Sequence, residues 1–98
     1  MAKSIHLKPK AIQDLEDIFI YSYRQFGEAR AEQYIQDLNS AFTKAATSPE
    51  LGRNCDEISP NLQALFVVSH VVFYKVKGNN LTVIRVLHKS MDHKRHMG

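Results

Sequence analysis

The feature that most constrains the fold is a pair of long helical patterns separated by a single glycine. Pro9 suits the first position of a helix, where its missing N–H is no loss. From there to Phe26, apolar and small residues recur every three or four positions: Ala11, Leu15, Ile18, Ser22 and Phe26. Gly27 breaks this pattern, and a second stripe follows from Glu28 to Thr47: Ala31, Tyr34, Ile35, Leu38, Ala41, Phe42 and Ala45. The pattern predicts a long α-hairpin, and its aromatic residues are most simply core.

The rest of the chain is typical of strands and one loop. "SIHLK" (4–8) alternates, and "SPELGRNCDEISPN" (48–61) has the prolines, glycine and turn formers of a loop. Apolar runs at 62–69, 70–77 and 81–89 predict three more strands, with a hairpin turn at "GNN" (78–80). We expect a single α+β domain over residues 1–98: a two-layer β-α-α-β-β-β fold whose α-hairpin packs on one face of a small antiparallel sheet. The other face then lacks a cover from this chain.

Charge is distributed unevenly. Residues 1–48 hold six Lys/Arg and six Asp/Glu, whereas residues 70–98 hold six Lys/Arg, one acid (Asp92) and four of the five histidines. The second segment has a net charge of +5, which indicates either an anionic partner or a solvated basic edge. Its last part, about 90–98, is predicted to be a mobile basic tail.

Several classes of protein do not fit this sequence. No stretch has the length of a signal peptide's apolar region or the roughly 20 apolar residues of a membrane span. We therefore expect a cytoplasmic protein with no membrane partner. Cys55, the single cysteine, cannot form an internal disulfide. Asp56 and Glu57 beside it disfavour a reactive thiolate, which favours a structural thiol. No cofactor is expected.

Four segments, in order, resemble one known family. "AIQDLEDIFIYSYRQFGEARAEQYI" is similar to its first helix, Phe-Gly break and second helix, and "SPELGRNCDEI" to its Pro-x-x-Gly-Arg loop. "HVVFYKV" and "IRVLHKSMD" are similar to its central strand and to its closing strand with tail. From about Leu7 to His93 the chain resembles the ParE branch of the ParE/RelE superfamily, the toxin half of bacterial toxin–antitoxin pairs.

The resemblance implies a protein inhibitor rather than an enzyme. ParE-like members poison DNA gyrase by trapping its cleaved DNA complex, and a ParD-like antitoxin neutralises them. No direct sequence-specific binding of nucleic acid is expected from the toxin alone. The tail then supplies the candidate gyrase contacts: Lys89, Met91, Asp92, His93, Lys94 and Arg95. The candidate antitoxin contacts lie on the open sheet face and basic edge: Val71, Phe73, Lys75, Arg85 and Lys89.

Two other functions stay open. RelE-like members of the superfamily cut messenger RNA on the ribosome, and here His88, His93, Arg53 and Arg85 have the residue types for acid–base and phosphate roles. In a regular strand, however, Arg85 and His88 point to opposite faces. The third function is a non-toxic module that retains only antitoxin binding.

Two local alternatives also remain at this point. His88, His93 and His96 have the spacing H-x₄-H-x₂-H, but without a cysteine partner no metal site is predicted. Arg85 lies inside an apolar strand, where it either pairs with an acid of this chain, such as Asp56, Glu57 or a helix acid, or meets an acid of a partner.

Overall fold

A computed structural model describes residues 2–97 of the 98-residue chain. It has five strands, two long helices and a short third helix: β1 Ser4–Leu7, α1 Pro9–Phe26, α2 Glu28–Thr47, β2 Arg53–Asn54, β3 Gln63–Val67, β4 His70–Lys77, β5 Asn80–His88 and α3 His93–Met97. The two-layer α+β prediction is confirmed, and both long helices have the bounds that the apolar pattern indicates. Among the described residues, none of the helices combines the length and apolarity that a membrane crossing requires.

The sheet has the strand order β1-β5-β4-β3-β2. Strands β2 to β5 are antiparallel neighbours, but β1 pairs in parallel with β5. The α-hairpin connects β1 to β2 at the opposite edge of the sheet, and the antiparallel strands that follow bring the chain back beside β1 at β5. The prediction of a wholly antiparallel sheet is therefore wrong at this edge. The two-residue β2 lies inside the predicted loop and was also not expected.

A β-bulge interrupts the pairing of β4 with β5. Phe73 pairs with Arg85, but the next residue, Tyr74, pairs with Val83, so Ile84 is an extra residue on β5. Leu81 and Val83 consequently lie on the same side as Val86, in the core beneath the helices. The simple alternation expected for β5 is wrong across the bulge. It holds from Arg85 to His88, where the register is regular.

The core consists of two clusters, one on each face of the sheet. The helix-side core joins both long helices to the sheet and contains Leu38, Phe42, Tyr74 and their buried neighbours. The second cluster lies on the opposite face and is formed by Cys55, Leu62, Ala64, Val71, Phe73 and Leu87, with Ile58, Ile84 and Met97 packed against it. The expectation that this face has no cover is wrong, because the 55–62 loop and α3 fold over it.

The 49–53 loop is shaped by one close contact with the sheet. The Tyr74 hydroxyl donates a hydrogen bond to the Pro49 carbonyl, at 2.8 Å. A Cβ atom on Gly52 would contact the Tyr74 hydroxyl oxygen and lie 2.8 Å from its Cζ atom. The glycine of the Pro-x-x-Gly-Arg loop is thus required for space, so that the loop can close over the Tyr74 ring.

Candidate functional site

Three of the four residues proposed for a ribonuclease site lie on strands, and the fourth, His93, lies on α3. Arg53 is on β2 at one edge, with 73% of its side chain exposed and a 3.9 Å ion pair to Glu57. Arg85 and His88 are both on β5, but they lie on opposite sides of the sheet, and His93 begins α3. The structure therefore does not bring these four side chains into one cluster.

Arg85 pairs with an acid of its own chain. Its Nε and Nη2 atoms donate to the two carboxylate oxygens of Asp14 at 2.8 and 2.9 Å, and this paired guanidinium has a raised pKa because of the hydrogen bonds to Asp14. Asp14 also accepts the backbone N–H of Val86 at 2.9 Å, just beyond the point where β1 stops pairing with β5. Of the two alternatives open from the sequence, the intrachain pair is the one observed, and its acid comes from α1.

A cluster of polar rings lies where the β3–β4 turn meets α2. The Tyr34 hydroxyl donates to the Val67 carbonyl at 3.2 Å, accepts the Ser69 N–H at 3.3 Å, and lies 2.6 Å from Nδ1 of His70. His70 is opposite His88 on the neighbouring strand, with 5.3 Å between ring centroids. Burial of His70, together with the charge of His88, lowers its pKa from 6.5 to about 4. His70 is therefore neutral at physiological pH, and burial likewise raises the pKa of Tyr34.

The segment after β5 is folded back on the second face. Nδ1 of His88 accepts the Ser90 N–H at 3.1 Å, and Nε2 of His93 donates to the His88 carbonyl at 3.0 Å. The His93 ring packs edge-on against Phe73, with 5.0 Å between centroids. Nη1 of Arg85 donates to the His96 carbonyl at 3.1 Å, and Met97 packs against the second cluster. The basic tail is thus seated on the sheet as far as Met97, and Gly98 lies outside the described residues.

This folding decides which tail residues face solvent. Lys89, Met91, Asp92, Lys94 and Arg95 are exposed, whereas His93 is partly covered by its contact with Phe73. Within residues 2–97, no group of three or more His, Cys, Asp or Glu side chains is arranged to hold a metal ion. The three histidines of the tail spacing instead make separate contacts.

Most candidate antitoxin contacts are already occupied within this chain. Val71 and Phe73 are each 1% exposed, so the expectation that they form an open apolar face is wrong. Lys75 donates to the Ser59 hydroxyl at 2.8 Å, and Arg85 is held by Asp14. Lys89 remains exposed. Cys55 is buried and its thiol has a raised pKa, because of burial and then the charge of Glu57, in agreement with a structural thiol.

An exposed apolar surface lies instead on the outside of the α-hairpin. Ile12, Ile20, Tyr23 and Phe26 on α1 are between 47% and 59% exposed, so treating every helix aromatic as core is wrong for Tyr23 and Phe26. A cleft of about 380 Å³ on this side is lined by Leu15, Glu16, Phe19, Ile20 and Ile35. We call this surface the outer groove. Its sequence signal is that α1 has apolar residues on two faces, only one of which fits against the sheet.

A second exposed apolar region surrounds the turn between β3 and β4. Phe66 is 61% exposed and Val68 is 75% exposed, and both line a cleft of about 510 Å³ beside α2. Val68 and the exposed Tyr21 also border a cleft of about 450 Å³ that contains the His70 and His88 rings. The sequence pattern placed Phe66 and Val68 in a predicted strand, indicated no role for Tyr21, and did not identify the three residues as a surface.

Comparison with known proteins identifies the family. The family model described as "ParE toxin of type II toxin-antitoxin system, parDE" matches residues 5–93. Toxin ParE1 of Mycobacterium tuberculosis is 42% identical over 93 residues, covering 94% of this chain and 95% of the relative. Toxin ParE1 of Caulobacter vibrioides is 34% identical over 96 residues, covering 98% and 99% of the two chains.

Solved structures with low sequence identity share the fold. A chain of the chromosomal ParDE toxin–antitoxin system from P. aeruginosa superposes with a TM-score of 0.76 at 19% identity, over 89% of this chain and 96% of that one. A chain of the RelBE2 toxin–antitoxin complex from Mycobacterium tuberculosis gives 0.67 at 13% identity, over 91% and 100%. The match of the family model to residues 5–93 and the identity to the two ParE1 relatives show that the chain belongs to the ParE toxin family of type II toxin–antitoxin systems.

Proposed function

We propose that this chain inhibits DNA gyrase by trapping the cleaved DNA complex, and thereby blocks replication, until a ParD-like antitoxin neutralises it in the cytoplasm. The observation that carries the proposal is the match to the ParE toxin family over residues 5–93. The placement of Arg53 at the sheet edge, and of Arg85 and His88 on opposite sides of the sheet, also supports inhibition over RNA cleavage. Acid–base catalysis requires its groups within hydrogen-bond reach of one substrate.

The outer groove is our candidate for the antitoxin seat. An amphipathic helix binds a groove through apolar side chains at i, i+3, i+4 and i+7. The exposed side chains of Ile12, Ile20 and Tyr23 lie along a stretch of α1 of twelve residues, with about 16 Å between its first and last residue at 1.5 Å per residue. The cleft between the two helices provides the depth that such a partner needs. This surface is available without displacing α3 or the 55–62 loop.

One pair of assays tests the target. Purified toxin is incubated with gyrase, supercoiled plasmid and ATP, and the products are examined for trapped cleaved DNA. In parallel it is incubated with messenger RNA and ribosomes, and the RNA is examined for cuts. We expect trapped DNA and intact RNA. RNA cuts without trapped DNA would instead identify a ribonuclease, and silence in both assays would support a module that only binds antitoxin.

A second experiment tests the antitoxin seat. Tyr23→Ser in the outer groove should weaken antitoxin binding by at least about tenfold, because a large aromatic contact is lost. Leu51→Ser is the matched control, since Leu51 is 53% exposed and lies beside β3, away from the groove. Equal affinities for wild type and Tyr23→Ser in calorimetry would rule out this seat.

A further inference from the structure

The turn between β3 and β4 contains a backbone conformation that its residue disfavours. Val67 pairs with His70, so Val68 and Ser69 form a two-residue hairpin turn. Val68 has φ of 52°, whereas Ser69 is not among the described residues with positive φ. A positive φ at the first turn residue alone is the arrangement of a type II′ turn, in which glycine is strongly preferred. For a β-branched residue it is strained.

Packing within the chain gives no compensation for this strain. The Val68 side chain is 75% exposed, more than the other exposed large apolar side chains of the described residues. The turn itself is held from both sides: Tyr34 bonds the backbone of Val67 and Ser69, and the Lys89 N–H donates to the Ser69 carbonyl at 2.9 Å. Strained positions persist where their surroundings determine them, and they concentrate at functional sites.

We propose that Val68 is a contact residue for the target of this toxin, and that its side chain enters an apolar depression on gyrase in the gyrase–DNA complex. The inference rests on the proposed function. The contact with gyrase would then explain why a valine is kept at an exposed position with a disfavoured backbone conformation. Tyr21 is 63% exposed, borders the cleft beside Val68 and adds aromatic area, which is enriched in protein–protein interfaces.

The positive charge of the tail favours gyrase with its bound DNA, rather than the antitoxin, as the partner that contacts Val68. Lys89 is bonded to the Val68–Ser69 turn and begins the exposed basic tail, which continues with Lys94 and Arg95. The turn is therefore joined through the backbone of Lys89 to the start of the positively charged tail. A complex of gyrase with DNA presents both protein and phosphate, and phosphate attracts lysine and arginine. The outer groove, with its own exposed side chains on α1, remains for the antitoxin.

Two substitutions at Val68 distinguish loss of the proposed contact with gyrase from relief of the backbone strain. Val68→Gly relieves the positive φ and removes the side chain. Its melting temperature should equal that of wild type or exceed it by up to about 5 °C, the shift that a gain of roughly 1 kcal/mol gives in a domain of this size. Val68→Thr keeps the shape and the strain but places a hydroxyl at the contact, and it should not be more stable than wild type. Both variants should trap cleaved DNA with at least tenfold lower potency and bind the antitoxin as wild type does.

Ile20→Asn is the matched control, because Ile20 is a 48% exposed apolar residue in the outer groove. It should lose antitoxin affinity and keep its potency on gyrase. If wild type traps cleaved DNA and both Val68 variants trap it equally well, the inference about Val68 is wrong while the proposed function stands. Loss of antitoxin binding with full potency on gyrase would also overturn it and assign the turn to the antitoxin. If wild type itself fails to trap DNA, the proposed function fails with it.

Discussion

At the scale of single residues, the Gly52–Tyr74 contact links a family motif to packing. Gly52 has φ of −75°, a value that any residue adopts, so the requirement for glycine comes from space rather than from backbone freedom. Tyr74 is fully buried and its ring is fixed by the bond to Pro49, so the ring cannot readily yield to an added methyl group. The glycine of the loop motif is therefore explained by its packing against Tyr74.

We expect Gly52→Ala to lower the free energy of unfolding by about 1–3 kcal/mol, as overpacking of a dense core does. Urea unfolding of the purified proteins measures this. In a Tyr74→Phe background the same substitution should cost less, because the hydroxyl nearest to the new Cβ is gone. Equal costs in the two backgrounds would show that the Tyr74 hydroxyl is not the obstacle.

His70 predicts a dependence of stability on pH. Its pKa is about 4 in the folded state and 6.5 when unperturbed, so between these values the unfolded chain binds a proton that the folded chain does not. The stability that follows from this shift in pKa is fully present above pH 6.5 and is lost as the pH falls through 4, by about 3 kcal/mol in total. His70→Asn should remove this part of the acid destabilisation in urea titrations at pH 7 and pH 4.5. Parallel pH profiles for wild type and variant would show that His70 protonates as easily folded as unfolded.

At the scale of elements, the two long helices can be predicted from local sequence patterns. The bulge in β5 and the segments that cover the second face of the sheet cannot. Pro9 and Gly27 mark helix ends through their own backbone chemistry, and the apolar period sets the buried faces, so both helices were predictable. Leu38, predicted as core from its place in the α2 stripe, is fully buried. The bulge at Ile84 and the folding of α3 onto Phe73 depend on contacts between distant segments. No short window of sequence contains them.

The tail illustrates the consequence for function. It has the composition of a solvated segment, yet His93, His96 and Met97 all contact the second face or Arg85. The partner of Arg85, Asp14, is 71 residues away and looks like any polar residue on a helix. Sequence therefore identified the residue types at the candidate site but could not separate those that are free from those already bound within the chain.

Truncation after Ser90 tests the role of α3. Because His93 and Met97 cover the second cluster, the shortened protein should remain folded but lose about 1–3 kcal/mol of stability through exposure of apolar surface. It should also lose its inhibition of gyrase, since Lys94 and Arg95 are absent. His88→Gln should keep measurable inhibition, because the proposed inhibition requires no proton transfer from this residue. A truncated protein with full potency, beside an inactive but folded His88→Gln protein, would favour the ribonuclease alternative.

At the scale of the whole molecule, the exposed surfaces are separated. The outer groove is apolar and lies on the far side of the helices from the sheet, whereas the basic tail lies on the second face and reaches the β3–β4 turn through Lys89. This arrangement allows antitoxin and target to be recognised by different chemistry. Contact with an apolar groove depends on buried area, while encounter with a complex that holds DNA depends on charge.

Charge reversal distinguishes these two modes of recognition. Lys89→Glu with Lys94→Glu should reduce the rate of association with immobilised gyrase–DNA complexes and flatten its salt dependence, because exposed charges at the rim of an interface act mainly on encounter. The rate of dissociation should change less. Lys10→Glu with Lys77→Glu is the matched control: it makes the same change in net charge at exposed residues outside the tail, on α1 and at the end of β4. If both pairs slow association equally, net charge alone explains the effect, and the tail has no special place in reaching the target.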